Sequence, residues 1–284
     1  DVSENLRLVG IRKQNAQRDI DHLPSVGANG PIRRVSVGDW KRRLDGQRKF
    51  LIEDQEVGIR QDFRNVLTDS FVDDLRRVVA AAGSVFGGQP PFDEYVFLAL
   101  FAGSGRGGLE HASSSTLLAP RTTFRPDSAY EDFLSLVAHE YLHVWNVKRM
   151  RPAEFWSFDY ERENHTELLW VAEGFTAYYD DLCVRRAGLL GARRYLDVLG
   201  RHVRNMLAMP GRFAQTLSEA SYDAWIRFYR PDENTRNSTQ NYYSNGALAA
   251  FVLDSEIRRA TGGARCLDDA VRALWASTFE QGRG

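Results

Sequence analysis

The sequence has few cysteines, no long hydrophobic run and almost no net charge, and each absence excludes a class of protein. Two cysteines in 284 residues, Cys183 and Cys266, cannot form the framework of a disulfide-rich domain. No apolar run approaches the roughly 18 residues of a membrane-spanning helix, so we expect no membrane partner. The 37 basic residues are balanced by 38 acidic ones, which argues against a nucleic-acid partner.

The chain divides by pattern into two parts, residues 1–62 and residues 63–284. The first part is polar, and its weak strand signals are Ile32–Val37 and Lys49–Ile52. In the second part a buried strand is predicted at Tyr95–Phe101, and helical patterns dominate after Ser128. Strands followed by helices indicate an α+β fold. No signal segment is visible, but its absence does not place the chain; the compartment of a soluble protein is left open between the cytoplasm and the periplasm.

The most informative motif is His139-Glu140-Tyr141-Leu142-His143. On a helix, residues four apart lie on one face, so both imidazoles point at the same place. Two such histidines with a glutamate beside the first suit a zinc ion and a general base. Apolar residues at spacings of three and four surround the motif, and a capping box is predicted at Ser128–Glu131. The sequence therefore predicts two histidines in the middle of a well-anchored helix.

A third ligand is predicted at Glu173, which has apolar neighbours on both sides. A carboxylate in such a setting is costly unless it binds a cation. Glu167 is the competing residue, although a helix N-terminus would also explain it. With His139, His143 and Glu173 on one Zn²⁺, a bound water would have a pKa near 7. Glu140 could accept its proton, which describes peptide hydrolysis without a covalent intermediate.

The segment HEYLHVWNVKRMRP from His139 to Pro152, with the run LWVAEGFTAYY that ends at Tyr179, resembles the glycyl aminopeptidase family. These proteins are relatives of aminopeptidase N within the glutamate-zincins and often carry a PDZ domain. The resemblance extends from about Phe63 to Gly284, and we find no PDZ domain in this chain. It implies a thermolysin-like zincin catalytic domain that binds one zinc ion and a peptide substrate.

The resemblance also assigns residues outside the metal site. Gly107, Gly108 and Glu110 match the segment that lies along the substrate, where the glutamate meets the free α-amine. Tyr243 matches the tyrosine that donates a hydrogen bond to the oxyanion, with Tyr242 as the alternative. Asn245 stands where the family usually has lysine, and this departure could alter substrate preference or rate.

The resemblance implies a zinc aminopeptidase with a preference for an N-terminal glycine or alanine. A zinc endopeptidase and a catalytically silent peptide-binding protein are the two alternatives. The Glu110 segment separates the first two, since an exopeptidase needs an anion for the α-amine.

Overall fold

The computed structural model of this protein describes residues 6–11, 48–52, 55–59 and 69–280. Within them, six strands form one sheet: β1 Leu6–Ile11, β2 Arg48–Ile52, β3 Gln55–Ile59, β4 Tyr95–Ala102, β5 Gly107–Glu110 and β6 Ser114–Pro120. Their order across the sheet is β2-β3-β1-β4-β6-β5. β4 pairs in parallel with β1 and β6, whereas β2 with β3 and β5 with β6 are antiparallel pairs. The short strand β5 is therefore an edge of the sheet.

The described helices follow or separate these strands: α1 Asp69–Val85, α2 Asp127–Leu142, α3 Leu169–Ala172, α4 Gly174–Arg186, α5 Ala192–Leu207, α6 Leu217–Tyr222, α7 Thr235–Ser238, α8 Tyr242–Ala260 and α9 Leu267–Trp275. A small sheet with a mainly helical remainder confirms the predicted α+β fold of the zincin type. None of the described helices is both long and apolar enough to cross a membrane.

Helix α2 packs between the sheet and α4, and this layer forms the main core. Alternate residues of β4 are buried, as expected for a strand covered on one face. Tyr95 of β4 packs its ring edge-on against Tyr141 of α2, and its hydroxyl donates to the carbonyl of Glu140 at 3.3 Å. Beyond the helix, Trp145 stacks on Phe86 with ring centroids 4.9 Å apart. These contacts fix the helix that carries the histidine motif.

The predicted strand at Tyr95–Phe101 is confirmed, and Lys49–Ile52 lies within β2. The predicted strand at Ile32–Val37 lies outside the described residues. The division into residues 1–62 and 63–284 stays a prediction.

Two predictions for the motif helix are wrong, the capping box at Ser128–Glu131 and the position of both histidines in the middle of the helix. α2 begins at Asp127 after Pro126 without a side-chain cap, so Ser128 is inside the first turn and forms no capping box. At the other end, α2 stops at Leu142 and His143 is its C-cap residue. Arg149 explains this end, because its guanidinium donates to the carbonyls of Val144, Ala112 and Pro91 and so stabilises a turn that leaves the helix axis.

Candidate metal centre and active site

Three side chains from two parts of the chain meet at the end of α2. His139 lies in its last turn, His143 follows it, and Glu173 joins α3 to α4. Oε2 of Glu173 lies 3.2 Å from Nε2 of His139 and 3.3 Å from Nε2 of His143. The ligand atoms of these three residues form a group that could hold a metal ion. Glu167, the competing candidate, is exposed in the turn before α3.

Each of the two histidines is also held by its other ring nitrogen. Nδ1 of His139 lies 3.0 Å from Oδ2 of Asp180, and Nδ1 of His143 lies 2.7 Å from the carbonyl oxygen of Asn146. Both partners are acceptors, so the proton of each neutral imidazole belongs on Nδ1. The amide of Asn146 in turn donates to the carbonyls of Val171 and Ala172, next to Glu173.

This tautomer leaves an Nε2 lone pair on each histidine, and both lone pairs face the Glu173 carboxylate. Three acceptor atoms this close repel one another unless a metal ion or a ring proton lies between them. The pKa values reflect the same arrangement. Burial opposes a charged imidazole, but Asp180 and Glu173 outweigh it and raise the pKa of His139 well above its usual value. Burial likewise opposes a charged Glu173, yet the two histidines lower its pKa below the ordinary range. The donor set therefore fits a divalent metal.

The carboxylate of Glu140 lies against the edge strand β5, with an oxygen within 4.8 Å of a ring nitrogen of His143. It is so close to Gly108 that a Cβ there would lie 2.1 Å from Oε1, so any larger residue would displace the carboxylate. The side chain is buried, and burial raises the pKa of Glu140 to about 7 although His139 and His143 act to lower it. A carboxyl group with that pKa can accept and return a proton near neutral pH.

Glu110, at the end of β5, is close enough to Glu140 and His143 for their polar atoms to lie within 4.8 Å of one another. The ammonium group of Lys148 forms an ion pair with it, with Nζ 2.9 Å from Oε1. Gly107 and Gly108 belong to the same edge strand. The structure thus brings the predicted substrate segment beside the metal group. The glutamate of this segment, Glu110, is already paired with Lys148.

The two candidate tyrosines open α8, and Asn241 caps this helix by accepting from the backbone amides of Tyr243 and Ser244. The ring of Tyr243 lies 6.2 Å from the ring of His139, centroid to centroid. Tyr242 is buried, and both hydroxyl groups contact Tyr229. Burial raises the pKa of Tyr243 well above its usual value, so this phenol stays protonated and can donate a hydrogen bond.

Asn245 is buried one turn further along α8, and its side-chain amide donates to Oε1 of Gln240 at 2.9 Å. Gln240 in turn bonds to Gln215 through its backbone and its side chain. The position where the family usually has lysine is therefore part of a neutral amide cluster.

Sequence reasoning missed three residues around the site, of which only Asp180 carries a signal in its spacing. Asp180 lies seven residues after Glu173, which is two helical turns along the same face. Asn146 acts through its backbone carbonyl, and side-chain type does not predict that role. Tyr229 directly follows a π-helical segment, Ala224–Phe228, and no sequence pattern indicated its position.

An α+β fold with the two histidines of a His-Glu-x-x-His motif and a glutamate from the next helix defines the class of zincin metallopeptidases. Residues 132–249 match the family model described as M61 glycyl aminopeptidase. The resemblance inferred from the motifs is therefore confirmed over these residues.

Two relatives extend the comparison to most of the chain. Aminopeptidase N of Caulobacter vibrioides is 27% identical over 187 residues, which are 64% of this chain and 19% of that protein. The crystal structure of an aminopeptidase N family protein from Idiomarina loihiensis superposes with a TM-score of 0.75 at 32% identity, over 84% of this chain and 42% of that one. The chain thus spans less than half the length of either relative.

Proposed function

We propose that this chain is the catalytic part of a zinc-dependent aminopeptidase that removes N-terminal residues from peptides. The convergence of His139, His143 and Glu173 carries the proposal, because two imidazole nitrogens and one carboxylate oxygen are a donor set that suits a divalent cation. One Zn²⁺ per chain fits the two imidazoles and one carboxylate. When bound, it would polarise a water molecule and the scissile carbonyl. A preference for N-terminal glycine or alanine follows from the family alone.

The residues of the chain supply the other steps. Glu140 accepts a proton from the attacking water and passes it to the leaving amine, and its raised pKa suits both transfers. Tyr243 donates its hydroxyl hydrogen to the oxygen that becomes negative. Glu110 receives the α-ammonium group at the edge of β5, where the peptide lies along Gly107 and Gly108.

A second candidate function, a zinc endopeptidase, is favoured by the ion pair between Lys148 and Glu110. With its charge already balanced, Glu110 would discriminate less strongly between a free and a blocked amino terminus. Cleavage of acetylated peptides separates the two candidates. If acetylation of the N-terminus leaves the rate unchanged, the aminopeptidase proposal is wrong and the endopeptidase is supported.

The first experiment measures hydrolysis of glycine and alanine anilides by the purified chain, with its zinc content determined. We expect activity that a chelator abolishes and one equivalent of zinc restores. The Glu140→Gln variant, prepared in parallel, controls for contaminating peptidases. It should retain zinc and lose activity on the order of a hundredfold or more, because the general base is lost. A zinc-loaded chain that cleaves neither anilides nor peptides would instead support the silent peptide-binding protein.

A further inference from the structure

Three tyrosine hydroxyl groups meet beside the metal group. The hydroxyl oxygen of Tyr229 lies 3.2 Å from that of Tyr242 and 3.3 Å from that of Tyr243. Tyr242 and Tyr243 come from the first turn of α8, whereas Tyr229 comes from the preceding segment of the chain. Tyr229 is thus in contact with the hydroxyl that faces the reaction.

The chemistry assigned to Tyr243 determines the direction of these hydrogen bonds. A phenol has one hydrogen, and Tyr243 must direct it at the developing oxyanion. Its oxygen is then the acceptor in the hydrogen bond with Tyr229, and the oxygen of Tyr229 can accept from Tyr242. The three groups form a chain in which each hydroxyl donates to the next, and such chains strengthen their individual bonds.

Burial is consistent with this direction. The side chain of Tyr242 is 1% exposed, and burial raises its pKa, so this hydroxyl remains a donor that needs an acceptor. Tyr229 is 55% exposed, and its ring packs against Trp225 and Phe228. A side chain this exposed contributes little to the core. An effect of removing its hydroxyl would therefore come from the lost hydrogen bond and not from lost packing.

We propose that Tyr229 is a positioning residue that donates a hydrogen bond to Tyr243 and aligns the Tyr243 hydroxyl with the oxyanion. The inference rests on the proposed function, in which Tyr243 is the oxyanion donor. It requires that Tyr229 acts only through Tyr243. Loss of the Tyr229 hydroxyl must therefore change the stabilisation of the transition state and leave substrate binding unaltered.

The test is a double-mutant cycle of Tyr229→Phe and Tyr243→Phe in the zinc-loaded chain, with a glycine anilide as substrate. Tyr229→Phe should lower kcat about three- to tenfold, the value of one neutral hydrogen bond, and leave KM and zinc content unchanged. In the Tyr243→Phe background the same substitution should have no effect. The control is Tyr222→Phe in the neighbouring helix α6, which removes the hydroxyl of an exposed tyrosine whose ring stacks on His165. This variant should retain full kcat.

A binding measurement makes the inference independent of turnover. The probe is a phosphinic analogue of Gly-Ala, whose tetrahedral phosphinate has oxygens in the place of the oxyanion. Calorimetry should show weaker binding for Tyr229→Phe by a similar factor, and no further loss when Tyr243 is already phenylalanine. Equal losses in both backgrounds, or no loss in either, would overturn the role of Tyr229. A zinc-loaded chain without turnover would contradict the proposed function, and the binding cycle would still decide this inference.

Discussion

At the scale of single residues, each histidine of the metal group uses both ring nitrogens. Nε2 faces Glu173, and Nδ1 is fixed by Asp180 or by the carbonyl of Asn146. The partners of Nδ1 select the tautomer and orient the rings before a metal binds. For His139 this partner is a carboxylate, which also makes the imidazole a better electron donor. Asp180 is therefore expected to control metal affinity.

Asp180→Ala should weaken zinc binding about 10- to 100-fold, because His139 loses the group that orients it. The measurement is competition for zinc against a chelator of known affinity, which needs no substrate. Asp181→Ala is the matched control, since Asp181 accepts from Ser135 and has no part in the metal group. Equal affinities for Asp180→Ala and the unsubstituted chain would contradict the orienting role.

Lys148 determines how much charge Glu110 presents to a substrate. The ammonium group of Lys148 pairs with the carboxylate that would bind the α-ammonium group of a peptide. The ammonium groups of Lys148 and of the bound peptide would therefore repel each other. Lys148→Met keeps much of the side-chain volume and removes this repulsion. We expect the ratio of kcat/KM for free over acetylated peptides to rise about tenfold, the effect of roughly 1.4 kcal/mol between close charges.

A suitable control for the Lys148 variant is Arg259→Met, which removes an exposed charge that pairs with Glu256 near the far end of α8. This variant should leave the ratio unchanged. A ratio that falls in Lys148→Met would show that Lys148 holds Glu110 in place for the substrate and does not compete with it.

At the scale of helices, the crossing of α4 and α8 positions the site. Gly174, the first residue of α4, meets Gly246 of α8 so closely that a Cβ on Gly246 would lie 2.6 Å from the carbonyl oxygen of Trp170 and 2.9 Å from Cα of Gly174. Glu173 precedes the first glycine, and Tyr243 lies three residues before the second. The close approach therefore determines the separation of a proposed metal ligand and the proposed oxyanion donor.

Gly246→Ala should destabilise the protein by about 1–3 kcal/mol, the usual cost of overpacking, because the atoms it meets are backbone. It should also lower activity, since Tyr243 moves with α8. Chemical denaturation and anilide hydrolysis measure the two effects. Gly200→Ala, within α5, should stabilise by about 0.5–1 kcal/mol, because it meets only the flexible end of Arg204. If Gly246→Ala changed neither stability nor activity, α4 and α8 could move apart without a loss of either.

At the scale of the whole molecule, a metal ion would connect parts of the core that are distant in sequence. His139 and His143 belong to the helix that packs on the sheet, whereas Glu173 belongs to the helical layer beyond it. The His139–Glu173 contact spans 34 residues. Because an ion that binds only the folded chain adds its binding free energy to stability, metal and fold are thermodynamically linked.

Removal of zinc should therefore lower the melting temperature of the whole chain. At a free concentration 1,000 times Kd, a ligand contributes about 4 kcal/mol. For a protein of this size this corresponds to a shift on the order of 10 °C. Differential scanning calorimetry with zinc and with a chelator measures it. The Glu173→Ala variant should show a much smaller difference, and an unchanged melting temperature in the unsubstituted chain would contradict the link.

The predictions that came from sequence were strongest where the relevant spacing is local. The four-residue separation of His139 and His143 is fixed by helix geometry, so their shared face could be predicted. The short apolar run that predicted the strand at Tyr95–Phe101 is equally local. The capping box at Ser128 failed although its spacing was correct, because α2 begins at Asp127, two residues earlier than a cap at Ser128 requires. A local pattern predicts that an element exists better than it predicts where the element ends.

The sequence by itself determined that a helix carries the histidine motif, the α+β class and the resemblance to a peptidase family, since these depend on residues close together in the sequence. Only the tertiary structure decided the contacts around them. Asp180 reaches His139 across 41 residues, Lys148 lies on Glu110, and Tyr229 joins two tyrosines of another helix. Such contacts depend on how helices pack and where chain segments cross, and no spacing within one segment encodes them.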